Sequence, residues 1–471
     1  MRDYAFGNRL AALRRECGYS QFQLGKLIGV SDASVSKWEN GTAKPRLGTY
    51  KKLAAVLDVD VSVLMNPDDQ LSSAGGHYMN THSFWNAAED RMYEYYGENP
   101  PLAIINRFKE ESCQLRNSAV IVLFAAIALL RQIAEKNHSL INLRGNTNGS
   151  LTAWLLGATV INPLPAHTYC PKCHQLIFHP EAAYGWDLPE GTCECGSPLL
   201  KDGHNLPFGT YLNGSAKLFS DIDCNVSPAL ADDAWKTILS FVQEYYTCDR
   251  YVYRQGEESR CPGEFTRLYL HPRKEGTAYQ KIEDVPEVSR TTMLRYFKDV
   301  PSIMLFEDST KNKFYPKKPD LKELLTLEVI RIAKEKYCDP YYRTSDDTFF
   351  GYLQSKAAVT LSMNGYDPVQ LAESYGLKSY TELPLTLEDV WNTIIQAPNG
   401  DAGMASDILL QMRLGRYARR LPPRDLEMMK RIGLPEWFPD YACKVRHLFP
   451  KAHCIDFAYT HLVEAWAECM M

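Results

Sequence analysis

Four cysteines in two tight pairs constrain this chain more than any other feature. Cys170-Pro171-Lys172-Cys173 is followed, twenty residues on, by Cys193-Glu194-Cys195. Two turns that each present two thiolates can close a tetrahedral site, so the spacing predicts one structural zinc on Cys170, Cys173, Cys193 and Cys195. The second pair has one intervening residue instead of two, which makes its turn the tighter. His167, His174 and His179 lie near enough in sequence to be substitute ligands. The chain has 13 cysteines, and behind Met1-Arg2-Asp3-Tyr4 no apolar stretch or secretory signal is visible. Reduced thiols in a bacterial cytoplasm, and metal rather than disulfide, are therefore expected.

At 471 residues the chain has room for about three domains. Its 45% hydrophobic and 23% charged residues exclude a disordered or collagen-like chain. The longest apolar run, 119–130, is too short to span a bilayer and reads as a buried helix, so no membrane partner is expected. The net charge of −5 hides an asymmetry. Residues 1–66 hold 10 Lys and Arg against 6 Asp and Glu, and the remainder 42 against 51. A small basic head precedes a large acidic body, and the head is the part that charge alone would send to DNA phosphates.

The head reads as five short helices. Phe6, Leu10 and Leu13 share one helical face, which Gly18 ends. Ser20 with Gln23 makes a capping box for a second helix carrying Leu24, Leu27 and Ile28, broken at Gly29. Ser31 caps a third over 31–40, with Val35 and Trp38 inward and Gly41 as its stop. A fourth carries Leu53, Ala54 and Leu57, and a short fifth Val61 and Leu64. Two short helices across a Gly turn form a helix-turn-helix, whose second helix enters the major groove. The residues from Ser20 to Ser31, then 35–41 and Lys44-Pro45, resemble the Cro/C1-type (XRE) DNA-binding family. That resemblance implies contacts from Gln21 and Lys37 to phosphates or base edges, and Asp32, Ala33, Ser34 and Ser36 at the bases. It also implies a homodimer on palindromic double-stranded DNA. Gly25 departs from the family's usual Ala, at a helix cost of ~1 kcal/mol.

Residues 67–80 are polar and Gly/Ser-rich and read as a linker. Helical patterning runs from Trp85 to about Lys136. Arg144, Gly145 and Ser150 then stand in a small-residue loop ahead of a helix, a place where phosphate can bind or where a helix simply starts. In Asp221-Ile222-Asp223 strand alternation puts both carboxylates on one face, as a pair that can clamp divalent ions.

Taken in order, residues 88–97, Arg144-Gly145, 160–173, 186–189, 201–208 and Asp221-Ile222-Asp223 resemble the PolC-type alpha subunit of bacterial DNA polymerase III. Residues 434–438, 443–446 and 449–453 resemble a later part of the same family. The resemblance implies a multidomain chain: an all-α head over 1–66 and the linker 67–80. An α+β polymerase-palm-like segment follows over 81–230, with a zinc ribbon at 168–197. After an unassigned stretch, 231–344, comes a PolC-like helical segment over 345–471. By the same resemblance the glycine-serine loop cradles a nucleotide triphosphate, and Asp221, Asp223 and a third aspartate hold magnesium. Here Asn142, Leu143, Asn146 and Asn148 replace small residues of that loop, and no segment matches the strand with the third acid.

Three functions remain open at this stage. The first is a nucleoid-associated DNA-binding transcriptional regulator whose inactive body serves as sensor, scaffold or decoy for replication proteins or nucleotide. The second is a minimal metal-dependent DNA polymerase using Asp221 and Asp223 with Asp249 or Glu307 as third acid. In the third, the head alone functions and the body is a dimerisation mass.

Overall fold

Ser20 and Ser31 open the two central helices of the head as their side chains allow. In the computed structural model, Ser20 Oγ accepts from Gln23 N and the Gln23 side chain accepts from Ser20 N, closing the capping box of α1 (Gln21–Ile28). Ser31 Oγ accepts from Ser34 N at the start of α2 (Asp32–Glu39). Between them Gly29 adopts φ +78°, the left-handed turn that glycine tolerates. Helix α3 (Leu47–Leu57) completes a core in which Phe6, Leu10, Leu24, Val35, Trp38 and Leu53 are buried. The structure describes residues 6, 10–11, 13–14, 19–40, 42–57, 64, 82–115, 120–208, 222–243, 246–255, 263–272, 302–307 and 318–470. The linker 67–80 and the helix ends expected at Gly18 and Gly41 lie outside them.

Gly25 proves to be required rather than merely costly. A Cβ there would stand 2.7 Å from the carbonyl oxygen of Val30, and close to Ser31 and Asp32. The turn is folded too tightly against α1 for any side chain.

The chain divides into two compact units, one of residues 1–80, 102–118 and 273–277, the other of 81–101, 119–272 and 278–471. The long helical pattern resolves into α4 (His82–Tyr96), α5 (Leu102–Leu115) and α6 (Val120–Lys136). Helix α6 is the apolar run, and it is buried along most of its length. Among the described residues no single helix is long and apolar enough to cross a membrane.

In the second unit, β1 (Asn142–Arg144) leads through a short turn to α7 (Leu151–Leu155). A small antiparallel sheet follows, with β2 (His167–Tyr169) between β3 (Leu176–Phe178) and β4 (Leu200–Asp202). The larger sheet takes β1, β5 (Ile222–Val226), β6 (Tyr246–Gln255), β7 (Gly263–Pro272) and β8 (Ser302–Glu307), in the order β1-β5-β8-β7-β6. Only the β5–β8 pair is parallel, with Asp223 opposite Met304; β1 runs antiparallel to β5, with Arg144 opposite Asp223. Helix α8 (Pro228–Gln243) packs back from β5 with an apolar face of Leu230, Ala234, Trp235 and Ile238.

The expected boundary at 230 therefore needs correction. Three of the five strands lie in the stretch left unassigned, because the pairing that unites them spans about eighty residues of sequence. The boundary at 344 also falls inside a packed unit. Helix α9 (Leu327–Tyr337) and α10 (Phe349–Ala357) share an apolar core with α11 (Lys451–Cys469), through Val329, Ile330, Phe349, Tyr352, Ile455 and Leu462. The helices between them enclose a second core around Tyr380, Trp391, Ile408, Phe438 and Tyr441.

Candidate functional site

In the head, α2 offers a clear outward face. Asp32, Ala33 and Lys37 are exposed and Ser34 and Ser36 half-exposed, while Val35, Trp38 and Glu39 face the core. One oxygen of Asp32 accepts from Ala33 N (2.8 Å), and Ser36 Oγ accepts from Asn40 Nδ2 (3.3 Å), so both are held close to the helix start and end. Gln21 is placed differently. Its amide nitrogen donates to Glu39 Oε2 (2.7 Å), where it joins Arg14, whose Nη2 donates to the same carboxylate (2.9 Å) and whose Nη1 donates to the Tyr19 carbonyl. This buried Arg14–Glu39 pair was missed in the sequence. Arg14 falls four residues after Leu10 on the apolar face, which is the signal that could have found it.

In the small sheet, the four cysteine sulfurs lie within 4.8 Å of one another. Cys170 and Cys195 Sγ are 3.4 Å apart, as are Cys173 and Cys193. Burial opposes ionisation of Cys170, but the Cys173 and Lys172 backbone N–H groups donate to its sulfur, and the thiol is lowered to about 6. A group of four converging thiols with N–H donors behind them can hold a metal ion in a closed tetrahedral set. The three nearby histidines point elsewhere. His174 Nδ1 faces the Tyr95 carbonyl, His167 Nδ1 the Pro165 carbonyl, and His179 lies between Thr168 and Glu181.

Much of the conserved-looking string before and after the cysteines turns out to hold this sheet in place. Asn162 Nδ2 donates to the Tyr96 hydroxyl (2.9 Å) and to Asp202 Oδ2 (3.0 Å). Burial raises the Asp202 carboxyl and lowers the His167 imidazole. Gly203, at φ +97°, sits where a Cβ would be 2.3 Å from the Pro165 carbonyl oxygen. Both Asp187 oxygens accept from the first turn of α10, from Phe349 N (2.8 Å) and Phe350 N (2.9 Å).

The third set surrounds the β1 loop, and α11 closes it. Leu143 N donates to Asp456 Oδ2 (2.9 Å), and Asn142 Nδ2 donates to the same oxygen (3.0 Å). Gly145 N donates to His453 Nδ1 (3.2 Å); burial, with Arg144 and Lys356 nearby, lowers that imidazole to about 3, so it accepts as the neutral ring. Asn148 Nδ2 donates to the Leu143 carbonyl, and Ser150 Oγ accepts from Ala153 N within its own short helix. Of the residues expected to cradle phosphate, Gly145 and Ser150 thus spend these groups on the protein itself. Arg144 stays half-exposed opposite Asp223.

Asp223 is half-buried, with Oδ1 enclosed and without a hydrogen-bond partner. Burial raises its carboxyl to about 7, against the opposing pull of Arg144. Asp221 lies outside the described residues. Asp249 is on the far edge strand β6, three ladder spacings from β5, roughly 14 Å at the usual strand separation. Glu307 pairs in register with Val226, not with Asp223. Among the described residues, the cysteines are the only cluster of three or more metal-donor side chains. Those residues do not make up a magnesium clamp around Asp223.

A helix-turn-helix head and a body of mixed helix and sheet define a DNA-binding protein of composite build. Residues 10–64 match the helix-turn-helix family, and residues 82–254 match the bacterial DNA polymerase III alpha NTPase domain. The chain joins the first to a body similar to PolC-type DNA polymerase III. It is 26% identical over 448 residues to the enzyme of that name from Thermotoga petrophila, covering 78% of this chain and 32% of that protein. It is 34% identical over 141 residues to that from Pediococcus pentosaceus, and 36% over 141 residues to that from Latilactobacillus sakei, in each case 29% of this chain and 10% of the other. The chain spans about a third of the length of the relative it matches most extensively.

Proposed function

We propose that this protein is a sequence-specific DNA-binding regulator whose polymerase III-like body serves recognition and not synthesis. The observation that carries this reading is the internal occupancy of the β1 loop. A phosphate-cradling loop needs free backbone N–H groups and close approach of its backbone. Here Leu143 and Gly145 direct theirs to Asp456 and His453 of α11. Asp223, with a proton affinity raised to about 7, is a poor ligand for a hard divalent ion at neutral pH. The exposed face of α2 enters the major groove, with Asp32, Ala33, Ser34 and Ser36 at base edges and Lys37 on phosphate. Gln21 acts by fixing Glu39 at the base of that helix. The protein works as a homodimer on double-stranded DNA in the bacterial cytoplasm.

The four cysteines hold one structural zinc, which supplies no open coordination position and therefore no Lewis-acid chemistry. Cys170 and Cys173 hold it from the turn after β2, Cys193 and Cys195 from the turn before β4.

Two assays test the reading together. Selection from a random duplex pool should enrich a palindromic sequence, and the enrichment should vanish when Asp32, Ser34 and Lys37 are replaced. Primer extension with magnesium should yield no product. Template-dependent product that disappears in Asp221→Ala or Asp223→Ala would overturn the non-synthetic body and reinstate the polymerase reading.

A further inference from the structure

A cleft on the second unit contains a buried cation with no counterion. It lies between the C-terminal end of α6, the turn that leads to β1, and the α11 face bearing Tyr459 and Val463, and it encloses about 480 Å³ of empty space, part of it open to solvent. Arg131 lines it and is only 7% exposed. Its Nε donates to the Ala158 carbonyl (3.3 Å), but Nη2 is enclosed and has no hydrogen-bond partner. Ser139, 5% exposed, lines the same cleft, and its hydroxyl is likewise enclosed and unpartnered. A buried guanidinium without an anion is costly, and it persists where something else supplies the charge. An anion held by both groups would satisfy each at once.

The surroundings select the kind of anion. Glu135 and Lys318 at the rim neutralise one another (2.7 Å), so the cleft carries the single positive charge of Arg131. A dianion would leave one charge uncompensated beside the Glu135 carboxylate. The remaining walls, including Leu140, Ile141, Pro319, Tyr459 and Val463, are largely apolar. Concave sites with apolar walls and a few convergent polar groups hold small organic ligands. We propose that this cleft binds a small organic monocarboxylate, its carboxylate on Arg131 and Ser139 and its apolar body against Ile141, Tyr459 and Val463. The site is separate from the β1 loop and from the cysteines, and it stands whether or not the body synthesises DNA.

The test is calorimetric titration of the full chain at pH 7 and fixed ionic strength. Benzoate and hexanoate serve as probes, with inorganic phosphate and neutral cyclohexanol as comparisons. Saturable binding of at least one carboxylate at one site per chain is expected, at least tenfold weaker in Arg131→Met. Phosphate and cyclohexanol should not saturate. Because Arg131→Met removes an uncompensated buried charge, its thermal midpoint without ligand should be equal to or above that of the parent. Ser139→Ala, which removes only the hydroxyl, should also weaken carboxylate binding and gives a second route should Arg131→Met not fold. No saturation by either carboxylate overturns the proposal. So does tighter binding of phosphate, or carboxylate affinity left unchanged in Arg131→Met or, where that variant is unfolded, in Ser139→Ala.

Discussion

Replacing Glu39 by Ala should unfold the head while leaving the body intact. Glu39 accepts from Arg14 Nη2 and Gln21 Nε2, and the Arg14 and Glu39 side chains are 10% and 6% exposed. Removing the carboxylate leaves the guanidinium enclosed and uncompensated, a loss of about 3 kcal/mol at the low end of the range for broken buried pairs. A helical unit of some 66 residues has a total stability of roughly 3–10 kcal/mol. One substitution therefore takes from a third to all of it. The readout is hydrogen exchange of the α1 and α2 amides in the full chain, with amides of α11 as internal reference. Opening of the head should become easier by about 3 kcal/mol, that is by roughly a hundredfold or more, and α11 should be unchanged. The double replacement Arg14→Met and Glu39→Met, which removes both charges, should recover most of the loss. Head exchange unchanged in Glu39→Ala would show that the pair contributes no net stability, and the reasoning would fall.

Four further outcomes can be checked. Gly25→Ala should destabilise the head: helix propensity favours Ala by ~1 kcal/mol, but the 2.7 Å approach to Val30 is an overpacking worth roughly 1–3 kcal/mol; a rise in the melting temperature would contradict this. Purified protein should hold about one zinc per chain by elemental analysis, lost in Cys170→Ser together with protease resistance of 168–197. Asp223 has its folded-state carboxyl raised from 3.8 to about 7, so its contribution is full at low pH and is lost as pH climbs from about 4 to 7; Asp223→Asn should remove that decline and raise the melting temperature at pH 8 more than at pH 4. Asp187→Ala should cost about 1 kcal/mol, as loss of a helix cap does, and raise proteolysis near Phe349 and Phe350.

What could be read from sequence was what is local. Ser20 with Gln23, Ser31, and Gly29 announce their helices because capping uses side chains three residues away. The apolar run became a buried helix, and the cysteine pairs converge because each pair is set by a single turn. The larger sheet was not legible beyond β5. Its strands meet by a parallel pairing between Ile222 and Ile303 that no short-range pattern encodes. The Asn142–Asp456 contact was invisible for the same reason. Gly25 shows the opposite failure: propensity sees only its own helix, whereas the constraint comes from the turn folded over it.

The reach of that last-closing contact has a consequence for synthesis of the chain. Leu143 and Asp456 are separated by 313 residues. At roughly 5–20 residues per second, the ribosome needs about 15–60 s to travel between them. Throughout that interval β1 is available without its partner helix, while the head, already emerged, can fold and search for DNA. A nascent molecule can thus be tethered to its target before its own body is finished. The N–H groups later directed to α11 are at that stage open to solvent, nucleotide or chaperone.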